Sequence, residues 1–290
     1  MVAQQQTPNS LTSRLLSVAI LIPLLVVAGW LPWATTLTVA LCIALGIREL
    51  FAIMSHGGFT PRVGPGIAVG LAFAVAAALR PFSSVDLTGF VLTLAIGLTL
   101  CYELLPRDRT ASLQSWALTL SGASYIGWLL SSFILLRQIG LPLRPSPLTP
   151  LAVPPGTAWL FLVFATTWIQ DSAAYFVGRT FGRHRMAPIL SPKKTWEGFA
   201  GGMLASVVTT LVATVLLGLP ISYLGAGMLG IAAGLAGPLG DLGESLIKRQ
   251  VGVKDSGHLI PGHGGILDRM DSLLFVGPVI YYSVLFGLGA

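Results

Sequence analysis

Residues 240–272 read GDLGESLIKRQVGVKDSGHLIPGHGGILDRMDS, a dense polar segment near the end of a chain that is otherwise mostly hydrocarbon. Read as a helix, the start of this polar segment gathers acids, a hydroxyl and cations on one face, because residues three, four, seven and eight positions apart lie on the same side. The residues on that face are Asp241, Glu244, Ser245, Lys248 and Arg249. A glycine-rich loop follows, and Asp268, Asp271 and Ser272 again share a helical face. The sequence therefore predicts two acidic faces joined by a flexible loop.

The rest of the chain is too apolar for a water-soluble domain. Of its 290 residues 54% are hydrophobic and 10% are charged, against about 25% charged in an ordinary soluble domain. Nine apolar segments are long enough to cross a bilayer core of roughly 30 Å as helices. They lie near residues 14–32, 34–54, 63–80, 87–105, 113–137, 157–178, 198–218, 221–240 and 267–289. We expect an all-α integral membrane protein, a polytopic bundle of about nine transmembrane helices with a polar funnel that faces the cytosol.

The basic residues predict the orientation of this bundle. With the N-terminus in the cytosol, the connections on the cytosolic side hold 14 of the 17 Lys and Arg, as expected from the excess of positive charge in cytoplasmic loops. The polar segment then lies on the cytosolic side. The net charge of +6 is explained by topology and by an anionic leaflet, so nucleic-acid binding is not expected.

Composition divides the chain into three parts. Residues 1–138 are expected to form a transmembrane scaffold, residues 139–156 a Pro-rich outer loop, and residues 157–290 the transmembrane half that carries the functional site. Seven of the eleven Asp and Glu lie between Asp171 and Asp271. In the first part, Arg48 and Glu49 are expected to be an interfacial pair whose side chains reach toward water.

A second polar region lies before the seventh span. Asp171 sits within the sixth span, where a carboxylate must face protein or water, so it is either a structural hydrogen-bond partner or a residue that lines the site. Further on, Ser191 and Pro192 are expected to begin a helix, which would bring Lys193 and Lys194 to amides that favour phosphate. The arginines of this loop are either a topology signal or substrate contacts; they are Arg179, Arg183 and Arg185.

The polar segment offers oxygen ligands beside cations. Asp241 and Asp268 are expected to hold Mg²⁺, which keeps coordination positions for water and phosphate oxygens. Lys248, Arg249 and Lys254 would contact the phosphates. Zinc is not expected, because the two cysteines are remote and His258 and His263 form no zinc pattern; these histidines would support the loop or contact substrate. Spacing alone indicates a metal-dependent site for phosphates.

The same residues carry a resemblance to a known family. Residues 245–249 (SLIKR), Lys254 with Asp255, and residues 263–271 (HGGILDRMD) resemble the signature of the phosphatidate cytidylyltransferase family. Residues 191–198 (SPKKTWEG) and the surroundings of Asp171 resemble its second conserved region. The resemblance is specific over residues 171–272, and before them it extends only to hydropathy and the start at residues 14–23.

The resemblance implies an enzyme that condenses CTP with phosphatidate into CDP-diacylglycerol and pyrophosphate. It also implies Mg²⁺ together with a monovalent cation such as K⁺, and a homodimer. A compact chain without a long soluble extension indicates a bacterial inner membrane, with an organelle as the alternative. Asp241, Asp268, Lys248 and Arg249 would be the catalytic residues. Residues expected to bind substrate are Asp171, Lys193, Lys194, Ser245, Lys254, His263, Arg269 and Asp271, where Asp271 would either bind metal or orient Arg269.

Two other functions fit some of these features. Charged residues in membrane helices and glycine-broken spans are also typical of transporters, although the polar residues here crowd toward one side and no internal repeat is visible. A related enzyme could use another nucleotide or another lipid phosphate. Only an enzyme makes a covalent product, so an assay of product separates these classes.

Overall fold

The computed structural model describes residues 26–105, 110–257 and 264–287, which fold into helices and one short hairpin. The helices are α1 (Pro32–His56), α2 (Val63–Leu79), α3 (Leu87–Tyr102), α4 (Ser112–Arg137, with a π-helical turn at Ser124–Trp128), α5 (Pro155–Phe181), α6 (Trp196–Leu217), α7 (Tyr223–Gln250) and α8 (Asp271–Leu285). Strands β1 (Arg185–Ala187) and β2 (Ser191–Thr195) pair antiparallel between α5 and α6. Short 3₁₀ turns lie at Arg80–Phe82, Thr149–Leu151 and Leu267–Arg269.

The helices confirm an all-α polytopic membrane protein. Six of them, α1, α2, α4, α5, α6 and α7, are long and apolar enough to cross a membrane. The apolar helices α3 and α8 are shorter, with 16 and 15 residues. Eight of the nine predicted spans coincide with described helices, and the first, at residues 14–32, lies mostly outside the described residues.

Close helix packing builds the half that carries the polar segment. Helix α6 packs against both α5 and α7, and α8 packs against α7 and α4. A Cβ added at Gly202 would lie 3.0 Å from the Cβ of Ala174 on α5, and one added at Gly230 would lie 2.6 Å from Cα of Val207 on α6. Small residues at such positions let membrane helices approach closely, so the glycine spacings of α6 and α7 serve packing.

The connections gather at two ends of the bundle. At one end, the Arg137 guanidinium donates to the carbonyls of Gly29 (2.8 Å) and Trp30 (2.7 Å), and Arg144 donates to the carbonyl of Ile221 (3.0 Å). At the other end, Arg62 and Glu103 form a two-pronged ion pair of 2.8 and 2.9 Å. The hairpin follows the C-terminal end of α5, and the polar segment continues past the C-terminal end of α7. Both therefore lie at this second end of the bundle.

The predicted helix start at Ser191 is wrong. Ser191–Thr195 is a strand, and α6 begins at Trp196. The hydroxyl of Thr195 accepts the N–H of Gly198 at 3.1 Å, while the backbone of Thr195 is extended, so Thr195 is the N-cap. Lys193 and Lys194 are therefore presented by a strand, on alternating sides, and not by the first turn of a helix.

Candidate functional site

A cavity of about 720 Å³ lies between α5, the hairpin, the start of α6, the middle of α7 and the turn before α8. Six of the residues predicted for the site line this cavity: Asp171, Lys193, Lys194, Asp241, Asp268 and Asp271. They come from five separate segments of the half that follows residue 157. The fold thus brings together most of the acids that the sequence analysis selected.

Helix α7 carries Asp241 just beyond an internal proline. Pro238 has no N–H to donate to the carbonyl of Gly234, one turn earlier. Gln170 of α5, the neighbour of Asp171, donates its Nε2 to that carbonyl at 2.8 Å. This bond fixes α5 against α7 at the depth where Asp171 and Asp241 face the cavity.

Asp241 is paired with a lysine of the hairpin. Nζ of Lys194 lies 2.7 Å from Oδ2 of Asp241 and 3.4 Å from the carbonyl of Pro238. The hydroxyl of Ser245 donates to Oδ1 of Asp241 at 3.4 Å. Lys194 and Ser245, both predicted to bind substrate, thus contact Asp241 in this structure.

Asp268 is held by three donors. Nζ of Lys248 lies 2.7 Å from its Oδ1, and the backbone N–H groups of Ser256 and Gly265 each donate to Oδ2 at 3.0 Å. Burial works against ionisation of Asp268, but these hydrogen bonds outweigh it and lower its pKa to about 2. Lys248 also lies 3.0 Å from Oε1 of the buried Glu244. Asp268 is therefore an anion in the folded protein.

The acids of the cavity form a donor set that suits a hard cation. Asp241 lies close enough to Asp171 and Asp271 for the three carboxylates to repel one another. One lysine, Lys194, pairs with this group of three carboxylates, through Asp241. Among the described residues no three His, Cys, Asp or Glu form a ready-made metal cage. Mg²⁺ usually takes one or two carboxylates and completes its shell with water and substrate oxygens, so two of these acids would suffice to hold it.

Other predicted residues among those described do not line the cavity. Arg249 is exposed; its Nε donates to the carbonyl of Leu190 at 3.4 Å and its Nη1 to that of Val253 at 3.0 Å. Lys254 and Arg269 are exposed on the segment that leads to α8. His263 lies outside the described residues. Asp268, expected on a helix face with Asp271, lies instead in the 3₁₀ turn before α8.

Two cations of the cavity were not assigned from the sequence. Arg179 and Arg185 line the cavity, and Nη1 of Arg179 donates to the hydroxyl of Tyr175 at 3.1 Å. Their positions in a basic loop are equally typical of a topology signal, so the sequence pattern alone does not distinguish them from Arg183. The structure does, because Arg183 is not part of the cavity lining.

Glu49 was also missed. The expected interfacial pairing with Arg48 is wrong, because Glu49 accepts the backbone N–H groups of Ile266 (3.1 Å) and Leu267 (3.0 Å). These partners lie more than 200 residues away along the chain, so no local pattern could have identified them.

Comparisons with known proteins show the family of the chain. The profile of the cytidylyltransferase family matches residues 12–286. A phosphatidate cytidylyltransferase of Synechocystis sp. is 35% identical over 285 residues, which cover 94% of each chain. That of Bacillus subtilis is 38% identical over 188 residues, 65% of each chain. That of Staphylococcus saprophyticus is 43% identical over 125 residues, 43% of this chain and 48% of the relative.

Proposed function

Because the chain belongs to the cytidylyltransferase family, we propose that it is a CTP:phosphatidate cytidylyltransferase, a nucleotidyltransferase of phospholipid biosynthesis. It transfers the cytidylyl group of CTP to phosphatidate and gives CDP-diacylglycerol and pyrophosphate. The observation that carries the proposal is the cavity itself, in which four carboxylates and four cations face one another at an end of a membrane bundle. Acids for a metal beside cations for phosphates suit the transfer of a phosphorus centre.

The reaction is a displacement at phosphorus. An oxygen of the phosphatidate phosphate attacks the α-phosphorus of CTP, and the bond from that phosphorus to the oxygen bridging to the β-phosphate breaks in line. Pyrophosphate leaves with the electron pair of that bond. The lipid phosphate is already ionised near neutral pH, so no separate general base is needed. Catalysis then rests on positioning and on stabilisation of charge.

The residues of the cavity divide these tasks. Asp241 and Asp268 would hold Mg²⁺, which when bound neutralises charge on the substrate phosphates. A K⁺ ion beside it would use the same acidic cluster, with Asp171 and Asp271 as the nearest further carboxylates. Lys194 and Lys248, now paired with Asp241 and Asp268, are the cations nearest to the substrate phosphates.

Further cations and polar groups are proposed to complete the substrate site. Those proposed to contact CTP or phosphatidate are Lys193, Ser245, Arg249, Lys254, His263 and Arg269. Lys193 lines the cavity, whereas Arg249, Lys254 and Arg269 are exposed outside its lining and would meet the substrates from outside.

The distribution of cations supports a cytosolic site. Among the described residues, only Arg80, Arg137 and Arg144 of the Lys and Arg lie at the end opposite the cavity. An excess of positive charge marks the cytoplasmic side of a membrane protein. We therefore place the cavity on the cytosolic face of a bacterial inner membrane, where CTP is present and phosphatidate enters from the leaflet.

A homodimer is also part of the proposal. Helix α3 exposes small residues at intervals of four along one face: Gly89, Thr93, Gly97 and Cys101. A Cβ added at Gly89 or Gly97 would meet nothing within 4 Å. Faces of this kind let two membrane helices approach closely, so α3 is the proposed contact between two copies.

The proposed activity is tested with labelled CTP and phosphatidate. Purified protein should convert the label into a chloroform-soluble nucleotide lipid and release one pyrophosphate per lipid formed. Replacing CTP by ATP, GTP or UTP tests the alternative that the protein is a related enzyme that uses another nucleotide. No covalent product from any pair of substrates, with folded protein and added Mg²⁺, would contradict the proposal and favour a transporter.

A further inference from the structure

Helix α1 reaches into the segment that carries Asp268. The carboxylate of Glu49 accepts the N–H of Ile266 through Oε1 and the N–H of Leu267 through Oε2. These are N–H groups at the start of the 3₁₀ turn Leu267–Arg269, which has no side-chain cap of its own. Unpaired N–H groups at the start of a helical turn need an acceptor. Glu49 supplies it from another helix.

A serine extends this contact to Asp268. The hydroxyl of Ser256 donates to Oε2 of Glu49 at 3.3 Å and accepts the N–H of Asp268, also at 3.3 Å. The N–H of Ser256 donates to the carboxylate of Asp268 at 3.0 Å. Glu49, Ser256 and Asp268 therefore form one hydrogen-bonded network. It joins Ser256, near the start of the segment between α7 and α8, to residues 266–268 near its end.

Two glycines make room for Glu49. A Cβ at Gly257 would lie 2.8 Å from Oε1 of Glu49, and a Cβ at Gly265 would lie 2.7 Å from Oε2 and collide with the hydroxyl of Ser256. Side chains at these two positions would push the carboxylate away from its donors. The glycines of the polar segment thus have a second role besides turn formation, which is to admit a carboxylate from the first half of the chain.

We propose that Glu49 is a positioning residue for the reaction, which acts by fixing the backbone on which Asp268 is presented to the cavity. This inference rests on the proposed function in one respect, which is the role of Asp268 in the reaction. A charged acceptor that satisfies several N–H groups at once binds more strongly than a neutral one. Glu49 touches neither the cavity lining nor the substrates; it acts through residues 266–268.

The test compares Glu49→Gln with Glu103→Gln. Glutamine keeps the size of the side chain but turns an NH₂ group toward a backbone donor, so one N–H loses its acceptor. Glu103 is the matched control, because it is a glutamate at the same end of the bundle whose partner is Arg62 and not the polar segment. Ser256→Ala removes the hydroxyl that joins Glu49 to the N–H of Asp268. It replaces Glu49→Gln in the test if Glu49→Gln does not fold.

Two measurements are made on each purified, full-length variant. Hydrogen exchange followed by mass spectrometry reports the amides of residues 264–270 without any turnover. Activity titrated with Mg²⁺ reports the concentration that gives half-maximal rate. We expect Glu49→Gln to speed exchange of the Ile266 and Leu267 amides by about tenfold and to raise the Mg²⁺ midpoint, while Glu103→Gln changes neither and only lowers thermal stability.

The outcomes separate the two proposals. Unchanged exchange in Glu49→Gln and Ser256→Ala would overturn the network, and faster exchange with an unchanged Mg²⁺ midpoint would overturn the positioning role. Equal effects of Glu103→Gln on the midpoint would do the same, since they would reflect general destabilisation. Failure of wild-type protein to make CDP-diacylglycerol would contradict the proposed function and leave the exchange result as a separate finding.

Discussion

Two acids of the cavity are each tied to a lysine from a different segment. Asp241 binds Lys194 of the hairpin, and Asp268 binds Lys248 of α7. Each pair places a carboxylate, the kind of group that binds a metal cation, next to an ammonium group, the kind that binds a phosphate. Under the proposed function, the lysines would turn from carboxylate to phosphate in the substrate complex, and the carboxylates would hold the cation.

Lys194→Met tests this arrangement. The change leaves a side chain of similar length but removes the cation next to Asp241, so stabilisation of the substrate phosphates is lost. We expect kcat/KM for CTP to fall by about a hundredfold, measured with labelled CTP and saturating phosphatidate. Arg183→Met is the control, because it removes a cation from the same connection but outside the cavity lining. Equal losses in both variants would show that overall charge, and not the Lys194 position, matters.

At this scale the sequence predicted acids better than cations. Asp171 is predicted because a carboxylate within an apolar span must face protein or water, and Asp241, Asp268 and Asp271 are predicted because they form two acidic helix faces. All four line the cavity. Arginine and lysine near a membrane are common for reasons of topology, so Arg179 and Arg185 did not stand out. Glu49 is predicted to pair with the adjacent Arg48 at the interface, because its true partners, Ile266 and Leu267, are distant in sequence.

Helix α7 combines a packing half and a site half. Before Pro238, glycines let it approach α6; after Pro238, it carries Asp241, Glu244 and Lys248. The change occurs within one helix, so any shift in the packing half moves the acids of the site.

Gly230→Ala should therefore destabilise the protein. Its Cβ would lie 2.6 Å from a backbone atom of α6, which cannot move aside cheaply, and overpacking of this kind costs about 1–3 kcal/mol. Gly227→Ala on the same helix adds the same methyl group where nothing lies within 4 Å. Thermal unfolding in detergent should show a lower midpoint for Gly230→Ala and an unchanged or higher one for Gly227→Ala. The reverse order would contradict the packing described here.

The ion pair between the start of α2 and the end of α3 predicts a pH-dependent stability. The hydrogen bond from Arg62 holds the pKa of Glu103 below its usual value of 4.5, against the effect of burial. A lowered folded-state pKa adds stability above the usual value, and this stability is lost as pH falls through the folded-state pKa.

Glu103→Gln should thus be less stable than wild type at pH 7, by about 1–2 kcal/mol for a partly exposed pair. The difference should shrink as the pH falls below 4.5, because wild type then loses the same charge. Thermal unfolding of both proteins across this range measures it. A difference that stays constant down to about pH 3 would mean that the pair contributes no charge-dependent stability.

At the level of elements, helix positions were predictable and the hairpin was not. Hydropathy sets the length of a span because the bilayer sets it, so α1 to α8 match predicted spans. The sequence SPKKT has a serine and a proline in the order of a helix start, yet its capping group is the later Thr195. Which hydroxyl caps a helix depends on tertiary contacts that a local pattern does not contain.

Over the whole molecule, the division into scaffold, outer loop and catalytic half stays a prediction, but the first half also contacts the segment that carries Asp268. The cavity is built entirely from residues after 157, while Glu49 of α1 holds the segment beside Asp268. An engineered split of the chain between the halves would therefore separate the cavity from one of its supports.

The dimer proposed through α3 can be tested with the native cysteines. Cys101 lies on the exposed small-residue face, whereas Cys42 is partly buried. Oxidation in membranes should give a cross-linked dimer of wild type and of Cys42→Ala, and only monomer for Cys101→Ser, on non-reducing gels. A dimer by light scattering without any Cys101 cross-link would place the contact on another helix.

The most direct test of the central claim is the Mg²⁺-dependent synthesis of CDP-diacylglycerol by wild type and Asp268→Asn. Asparagine keeps the size of the side chain and removes the charge proposed to hold the metal, and Asp86→Asn, at the start of α3 on the opposite end, is the control for loss of one carboxylate. We expect an active wild type and control and a folded Asp268→Asn with almost no turnover at any Mg²⁺ concentration. Full activity of Asp268→Asn with an unchanged Mg²⁺ requirement would contradict it.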